Sequence, residues 1–253
     1  MILSFFICFS LTLGSFLNVC IYRIPRGESI VFPPSHCPNC NKRLKWNDLI
    51  PVVSYIFLKG KCRYCREKIS IRYPIVEVLT VSGGLLCYLR YGISAQMFIS
   101  FTIFCILLYI SAVDIDTMEI STASVLLLFI ARCAQIFLKK GASFNTVLSI
   151  FSGMFFSMLL ILIIYILSKG RAMGFGDVLL IAAGGAGFTT AQAILANFLA
   201  FIFGAVFAVL MMILKNKNMK SEVPFGPYIA VALFITIIYG DRILQMYFNY
   251  LRG

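Results

Sequence analysis

The chain is poor in charge, and above all in acid. Only 13% of its 253 residues are Asp, Glu, Lys or Arg, and ten of them are acidic. That is about half the charged share of a soluble globular domain. With 60% hydrophobic residues and a mean hydropathy of +0.93, an ordinary soluble fold is excluded. Met1 to Ile21 has neither a charged n-region nor an A-x-A cleavage site. This argues against a cleaved signal peptide and predicts a retained transmembrane helix. No internal repeat or low-complexity stretch stands out, and no glycine-rich nucleotide loop of Rossmann type occurs.

What the chain does have is a succession of apolar runs broken by one polar insertion. Arg23 to Tyr73 is polar and basic, with prolines at positions 25, 33, 34, 38 and 51 that exclude a long helix. Around it the sequence predicts an all-α polytopic membrane protein of about eight transmembrane helices. These are Met1–Ile21 and runs near 75–90, 95–113, 120–138, 146–168, 177–190, 192–214 and 225–248, against the ~20 residues that a bilayer requires. The run from Asp177 is the weakest, because Gly184, Gly185 and Gly187 shorten it. The expected domains are the first helix (1–22), the polar insertion (23–73) and a membrane domain (74–253).

The net charge of +12 is unevenly spread, with eleven of 22 Lys and Arg between Arg23 and Arg72. A basic segment of this kind suits nucleic acid, but a cytoplasmic loop obeying the positive-inside rule explains it better. With both termini outside, sixteen basic residues fall inside and five outside, and Arg132 lies within a span. The same topology puts Asp114 and Asp177 at the cytoplasmic ends of their helices.

Nine cysteines are present, and four are spaced as Cys37-Pro-Asn-Cys40 and Cys62-Arg-Tyr-Cys65. Two such knuckles suit one tetrahedral zinc, because each turns two thiolates the same way. Neighbouring Lys and Arg favour the thiolate forms. A metal would also supply folding energy to a proline-rich segment with little core of its own. Four protein ligands leave no open position, so the expected role is structural; a redox role or unligated thiols are the alternatives. His36 is read as a bystander, and the other five cysteines as small buried hydrophobes.

The second constellation is Met173-Gly174-Phe175-Gly176-Asp177, a carboxylate at the edge of an apolar run. Ionisable groups at membrane depth are costly and mark function by default, and glycines permit close backbone approaches. The partner carboxylate lies in Val113-Asp114-Ile115-Asp116. Asp114 and Asp116 face different ways on a helix, so one of them can meet Asp177; Asp116 and Glu119 are expected to face the cytoplasm. Two close carboxylates share a proton and titrate as a pair. One takes a proton from water while the other protonates the carbonyl oxygen or the leaving amine, which hydrolyses a peptide without a metal. A proton-coupled transporter would use the same residues as a relay, but it needs a polar file across the bilayer that these spans lack. Asn18, Glu77 and Asn197 are polar residues inside apolar runs, expected to bond neighbouring helices. Gly83-Gly84 and Gly204-Ala205 could permit close helix packing.

Taken together, these residues resemble the bacterial type IV prepilin peptidases, bifunctional leader peptidase/N-methyltransferases of the GxGD aspartyl protease class. The resemblance runs through Gly14-Ser-Phe-Leu-Asn18, Tyr22-Arg-Ile-Pro25, both cysteine knuckles, Leu44-Lys-Trp46, Ile50-Pro51, Ser54-Tyr55 and Ile71-Arg-Tyr-Pro74 to Glu77. It continues at Asp114-Ile-Asp116, Gly174-Phe-Gly176-Asp177 and Pro224-Phe-Gly226-Pro227. The tetracysteine segment separates it from archaeal preflagellin peptidases. The resemblance implies that Asp114 and Asp177 are the catalytic pair, with Ile120 marking the register of the first. It implies prepilin or pseudopilin substrates cut after a glycine at the cytoplasmic face of the bacterial inner membrane. It also implies methylation of the new N-terminus from S-adenosylmethionine. A nucleic-acid partner is not implied, and no residue can be named for the methyl donor. Two departures are Ser121, where the family has Pro, and Leu179, where it often has Lys. Glu28, Asp48, Glu67 or Glu222 would receive a basic leader, and a catalytically idle pilin binder is the remaining alternative.

Overall fold

The computed structural model describes residues 2–215 and 223–252. Among them every regular element is helical. In order these are α1 (Ile2–Arg23), α2 (Val53–Phe57), α3 (Arg72–Tyr91), α4 (Ala95–Thr117), α5 (Thr122–Lys140), α6 (Phe144–Ser168), α7 (Phe175–Gly184), α8 (Thr190–Lys215) and α9 (Gly226–Arg252). Single 3-10 turns occupy Ile24–Arg26 and Trp46–Asp48. The chain forms two compact units, Met1–Gly92 and Ile93–Gly253.

Six helices are long and apolar enough to cross a membrane: Leu3–Arg26, Ala95–Thr117, Thr122–Lys140, Phe144–Ser168, Thr190–Ile213 and Gly226–Leu251. The chain is thus a multi-pass membrane protein. Two of the eight expected spans lie outside this set. One is α3, whose 20 residues include Arg72, Glu77 and Arg90 and dilute its hydropathy. The other is α7, which stops at Gly184 after ten residues. At 1.5 Å per residue that is about 15 Å, half the ~30 Å hydrocarbon core. On α6 and α8 large apolar side chains such as Phe151, Leu160, Phe198 and Ile213 are exposed, as expected where lipid is the solvent.

In the first unit α1 packs along α3. Gly14 permits the close approach, since a Cβ there would lie 2.9 Å from Glu77 Cα. Polar groups in this interface are satisfied locally. Ser10 donates to Phe6 O at 2.8 Å, Thr80 to Val76 O at 2.8 Å and Asn18 Nδ2 to Tyr73 O at 3.0 Å. Glu77, buried in α3, accepts the Val52 N–H at 2.7 Å and so ties the polar segment to the helix pair. Arg23 gathers the start of that segment by donating to Ser29 O and Pro33 O.

The second unit is organised around α7, which packs against α5, α6 and α9. Ser94 and Ser143 cap α4 and α6 by accepting the Met97 and Thr146 N–H groups, each at 3.2 Å, which meets donors that a helix start leaves open. The glycines that end α7 are seats for its neighbours. A side chain at Gly184 would overlap Leu233 of α9, and one at Gly185 would overlap Ser157 of α6. Gly187, at φ +74°, turns the chain against Ile136 of α5. Leu180, Ile181 and Ala186 are fully buried in this junction.

Candidate active site

Asp114 lies in the last turn of α4 and is 4% exposed; Asp116, two residues on, points outward. The helical offset thus leaves Asp114 inside and Asp116 outside, and Glu119 is exposed as well. Asp114 Oδ2 accepts the Gly226 N–H at 2.9 Å, across 112 residues of sequence. Gly226 is the first residue of α9, so the carboxylate sits at a helix N-terminus, where the backbone dipole favours negative charge. Asp177 is 7% exposed in the first turn of α7. Its Oδ2 accepts the Gly174 N–H at 3.1 Å, while its own N–H donates to Gly174 O at 3.2 Å. Each carboxylate therefore has one oxygen on a single backbone amide at a helix start. Its Oδ1 has no partner among the described residues.

Ile120 links the two. A Cβ on Gly176 would lie 2.9 Å from Ile120 Cβ, and one on Gly226 would lie 3.3 Å from Ile120 Cδ1 and 2.6 Å from Asp114 Oδ2. The two glycines thus let α7 and α9 close on Ile120, which brings the helix starts that carry Asp177 and hold Asp114 to one residue. Gly174 differs: a Cβ there would meet Asp177 Oδ2 at 3.6 Å, ordinary contact. Its contribution is its N–H.

The start of α9 is held from the α8 side. The Phe225 ring packs on Phe201 at 5.5 Å and against Gly204, where a Cβ would come within 3.0 Å. The far end of α7 is held by Arg132, a residue the sequence marks only as a charge within a span. Buried in α5, Arg132 donates to Gly184 O at 2.9 Å and Ala186 O at 2.7 Å, and its guanidinium lies 5.2 Å from the Phe188 ring centroid. It also donates to Gln135, which in turn reaches Ser100 at 2.7 Å. A cation on helix-terminal carbonyls is the complement of an anion at the helix start. Arg132 and Asp177 therefore bracket α7 from opposite ends. The available signal was an arginine in an apolar run, which demands a partner.

The four cysteines meet in the first unit, with all four Sγ atoms within 4.8 Å of one another. Cys37 Sγ and Cys65 Sγ are 3.8 Å apart. A tetrahedron with metal–sulfur bonds of about 2.3 Å has edges of about 3.8 Å, so the set fits a metal ion. The two knuckles are copies in backbone, a repeat not visible in their side chains. Cys37 N–H bonds Lys42 O and Cys62 N–H bonds Glu67 O. Asn41 and Arg66, both at positive φ, return their N–H groups to Cys37 O and Cys62 O. One isolated bridge closes each, His36 to Arg43 and Lys61 to Lys68. His36 Nδ1 contacts Pro34 O, not the sulfurs. The amides of Cys65 and Tyr64 pull the Cys62 thiol down to about 7. At Cys65 the Glu67 amide pulls the thiol down, but desolvation and the neighbouring sulfurs outweigh it and hold it up at about 11.

Of the acidic residues proposed to meet a basic leader, Asp48 is already engaged: its Oδ1 lies 2.7 Å from Arg63 Nη2. Glu28 and Glu67 are exposed, and Glu222 lies outside the described residues.

The fold and site define a helical membrane protein with two buried carboxylates at helix ends and a separate four-thiol cluster. A family model described as the Bacterial Peptidase A24 N-terminal domain matches residues 8–91, and one described as the Type IV leader peptidase family matches residues 101–209. The chain is 30% identical to the prepilin leader peptidase/N-methyltransferase of Pseudomonas aeruginosa, over 98% of this chain and 95% of that protein. It is 30% identical to the Pseudomonas putida protein of the same name, over 92% and 89%. It is 29% identical to that of Bacillus subtilis, over 99% and 100%. The chain belongs to the type IV leader peptidase family. No solved structure matches it.

Proposed function

We propose that this protein is a membrane-embedded aspartyl endopeptidase that removes the leader of type IV prepilins or pseudopilins and methylates the new N-terminus. That it is a prepilin peptidase with N-methyltransferase activity follows from its family and from the names of relatives matched over nearly their whole length. The observation that supports the aspartyl mechanism is that Asp114 and Asp177 are both buried, each on one backbone amide, where the starts of α9 and α7 pack on the same residue, Ile120.

In this mechanism the pair holds one proton between two carboxylates. The ionised member takes a proton from water as its oxygen attacks the scissile carbonyl carbon, and the protonated member donates to the carbonyl oxygen. Collapse of the tetrahedral adduct breaks the C–N bond: the carboxyl that took the water proton gives it to the leaving amine, the other carboxylate takes the proton of an adduct hydroxyl as the new carbonyl forms, and the pair again holds one proton. The Gly226 and Gly174 amides hold the carboxylates in place through each step.

The topology proposed has eight crossings, α3 and α7 completing the six apolar spans, with both termini outside and the site at the cytoplasmic face of the inner membrane. Asp114 and Asp177, each at the end of its helix, suit a substrate whose leader junction stands at the membrane surface. The domains are the first helix (1–22), the tetracysteine segment (23–73) and the membrane protease domain (74–253). Cys37, Cys40, Cys62 and Cys65 would hold a structural zinc that closes the two knuckles on each other. S-adenosylmethionine, when bound, supplies the methyl group as an electrophile. The chain's own part is to deliver a free amine at the cut.

The test is mass spectrometry of a prepilin processed by the purified enzyme in detergent. The expected products are the shortened pilin, lacking a leader that ends in glycine, and, with S-adenosylmethionine added, the same pilin one methyl heavier. An intact prepilin would contradict the reading.

A further inference from the structure

The segment between the two knuckles carries a feature that neither cleavage nor metal binding uses. From Trp46 to Leu58 it contains one charged side chain, Asp48, and that carboxylate is neutralised by Arg63. The Asp48 Oδ2 atom also accepts the Lys45 N–H, so nothing in the segment presents a negative charge. What it presents is apolar: Trp46 is 80% exposed, Ile56 66% and Phe57 82%, with Leu49, Ile50 and Val53 exposed beside them. Soluble protein surfaces rarely gather large apolar side chains in this way without a partner.

The segment is built rather than loose. The turn at Trp46–Asp48 packs against α2. Val52, a β-branched residue at φ 61°, is held there by Glu77 of α3. The Tyr55 hydroxyl donates to Ile69 O, and its ring lies over Gly60. The salt bridge from Asp48 to Arg63 ties the tip to the second knuckle.

Cations stand on both shoulders. Lys42, Arg43 and Lys45 precede the apolar tip, and Lys59 and Lys61 follow it, all exposed. An apolar, aromatic tip between basic shoulders is the pattern of groups that settle at the boundary of headgroups and acyl chains of an anionic membrane. The unit is anchored at such a boundary already, since α1 is long and apolar enough to cross a bilayer. We propose that the Trp46–Phe57 tip docks on the anionic phospholipid surface of the bilayer that holds its own helices, inserting Trp46, Ile56 and Phe57 shallowly while the flanking cations meet lipid phosphates. Docking would hold the four-thiol unit against the membrane plane.

Trp46 is the only tryptophan in the chain, so the native protein carries its own probe. The full chain is reconstituted in vesicles of phosphatidylcholine alone or mixed with phosphatidylglycerol, with and without lipids brominated near the headgroup end of the acyl chain. In the anionic vesicles the expected result is blue-shifted emission, quenching by the brominated lipid and shielding from acrylamide. In phosphatidylcholine at high salt the shift and the quenching diminish. The double variant Ile56→Asp with Phe57→Asp restores acrylamide access and removes quenching by lipid. Emission that stays red and open to acrylamide in anionic vesicles overturns the proposal. So does blue emission that neither quencher reaches, because the tip would then be covered by protein. The readout uses neither aspartate, so it stands or falls apart from the peptidase mechanism.

Discussion

The four-thiol cluster and the aspartate site solve the same problem, bringing distant side chains together, by opposite means. In the cluster the geometry is local. Each C-x2-C knuckle folds on three backbone contacts of its own, and the two copies then need something to hold sulfur against sulfur. In the aspartate site nothing local suffices. Asp114, Gly226, Ile120 and Asp177 come from separate stretches, and the space between them is set by glycines that admit no side chain. The first region has a geometry that a bound ion would close; the second rests on helix packing. Perturbations should therefore separate them.

Metal removal gives the largest expected effect. Structural zinc in small domains supplies an apparent ~10–16 kcal/mol at neutral pH, so chelation should open the segment between Arg23 and Arg72 while α4–α9 stay folded. Limited proteolysis read by mass spectrometry checks this: new cuts should cluster around the knuckles. Acid should do the same. Ligation needs thiolates, and Cys62 takes up its proton as pH falls through about 7. Metal affinity therefore falls on acidification below that point and rises with pH above it, which titration with a chelating dye would follow.

Next comes Arg132→Met, confined to the other region. It strands the Gly184 and Ala186 carbonyls, at about 1–3 kcal/mol for each buried group left unsatisfied. Thermal unfolding in detergent should shift down, cleavage should fall, and Arg132→Lys should recover part of both. Metal content should not change.

Smaller and more selective are the glycine substitutions. Gly176→Ala and Gly226→Ala force a methyl against Ile120 or Asp114, with overpacking of about 1–3 kcal/mol and a loss of cleavage of about tenfold or more. Gly174→Ala meets only ordinary contact and should stay within about 0.5 kcal/mol of wild type. Equal losses at all three would show that the loop, rather than the close approaches, sets the site. The smallest effect is expected of Ser121→Pro. Ser121 occupies the N-cap position of α5 without a side-chain capping bond and at φ −66°, the angle proline prefers, so the change should stabilise by about 0.4–1 kcal/mol. It would be seen as a small rise in melting temperature with cleavage retained.

How much of this was legible in the sequence follows the same division. C-x2-C spacing announces its own fold, so the cluster could be read from four letters. Its internal repeat could not, because Cys37–Lys42 and Cys62–Glu67 share backbone and cysteines but few side chains. Helix geometry allowed only one of Asp114 and Asp116 to face Asp177; the choice of Asp114 rested on the resemblance, through the register that Ile120 marks, and Asp114 is the one that is buried. The Gly226 amide was invisible, since a hydrogen bond across 112 residues leaves no periodic trace. The helices themselves were legible, but six of the eight expected spans meet the length and hydropathy of a crossing: glycines end α7 at half a bilayer, and charge keeps α3 below the hydropathy of the six clear spans. Asp48 read as a free acid because its partner, Arg63, sits beyond α2 in the chain.

The central claim is that Asp114 and Asp177 form one catalytic unit and that Asp116 lies outside it. The direct test is cleavage of a co-expressed prepilin by Asp114→Asn, Asp177→Asn and Asp116→Asn, read by mass spectrometry of the pilin. Asp114→Asn and Asp177→Asn should each lose activity by about a hundredfold or more, the scale of removing a general acid or base, and the double variant should lose little beyond either. Asp116→Asn should cleave like wild type. Continued cleavage by purified Asp177→Asn, or loss with Asp116→Asn in place of Asp114→Asn, would contradict the account.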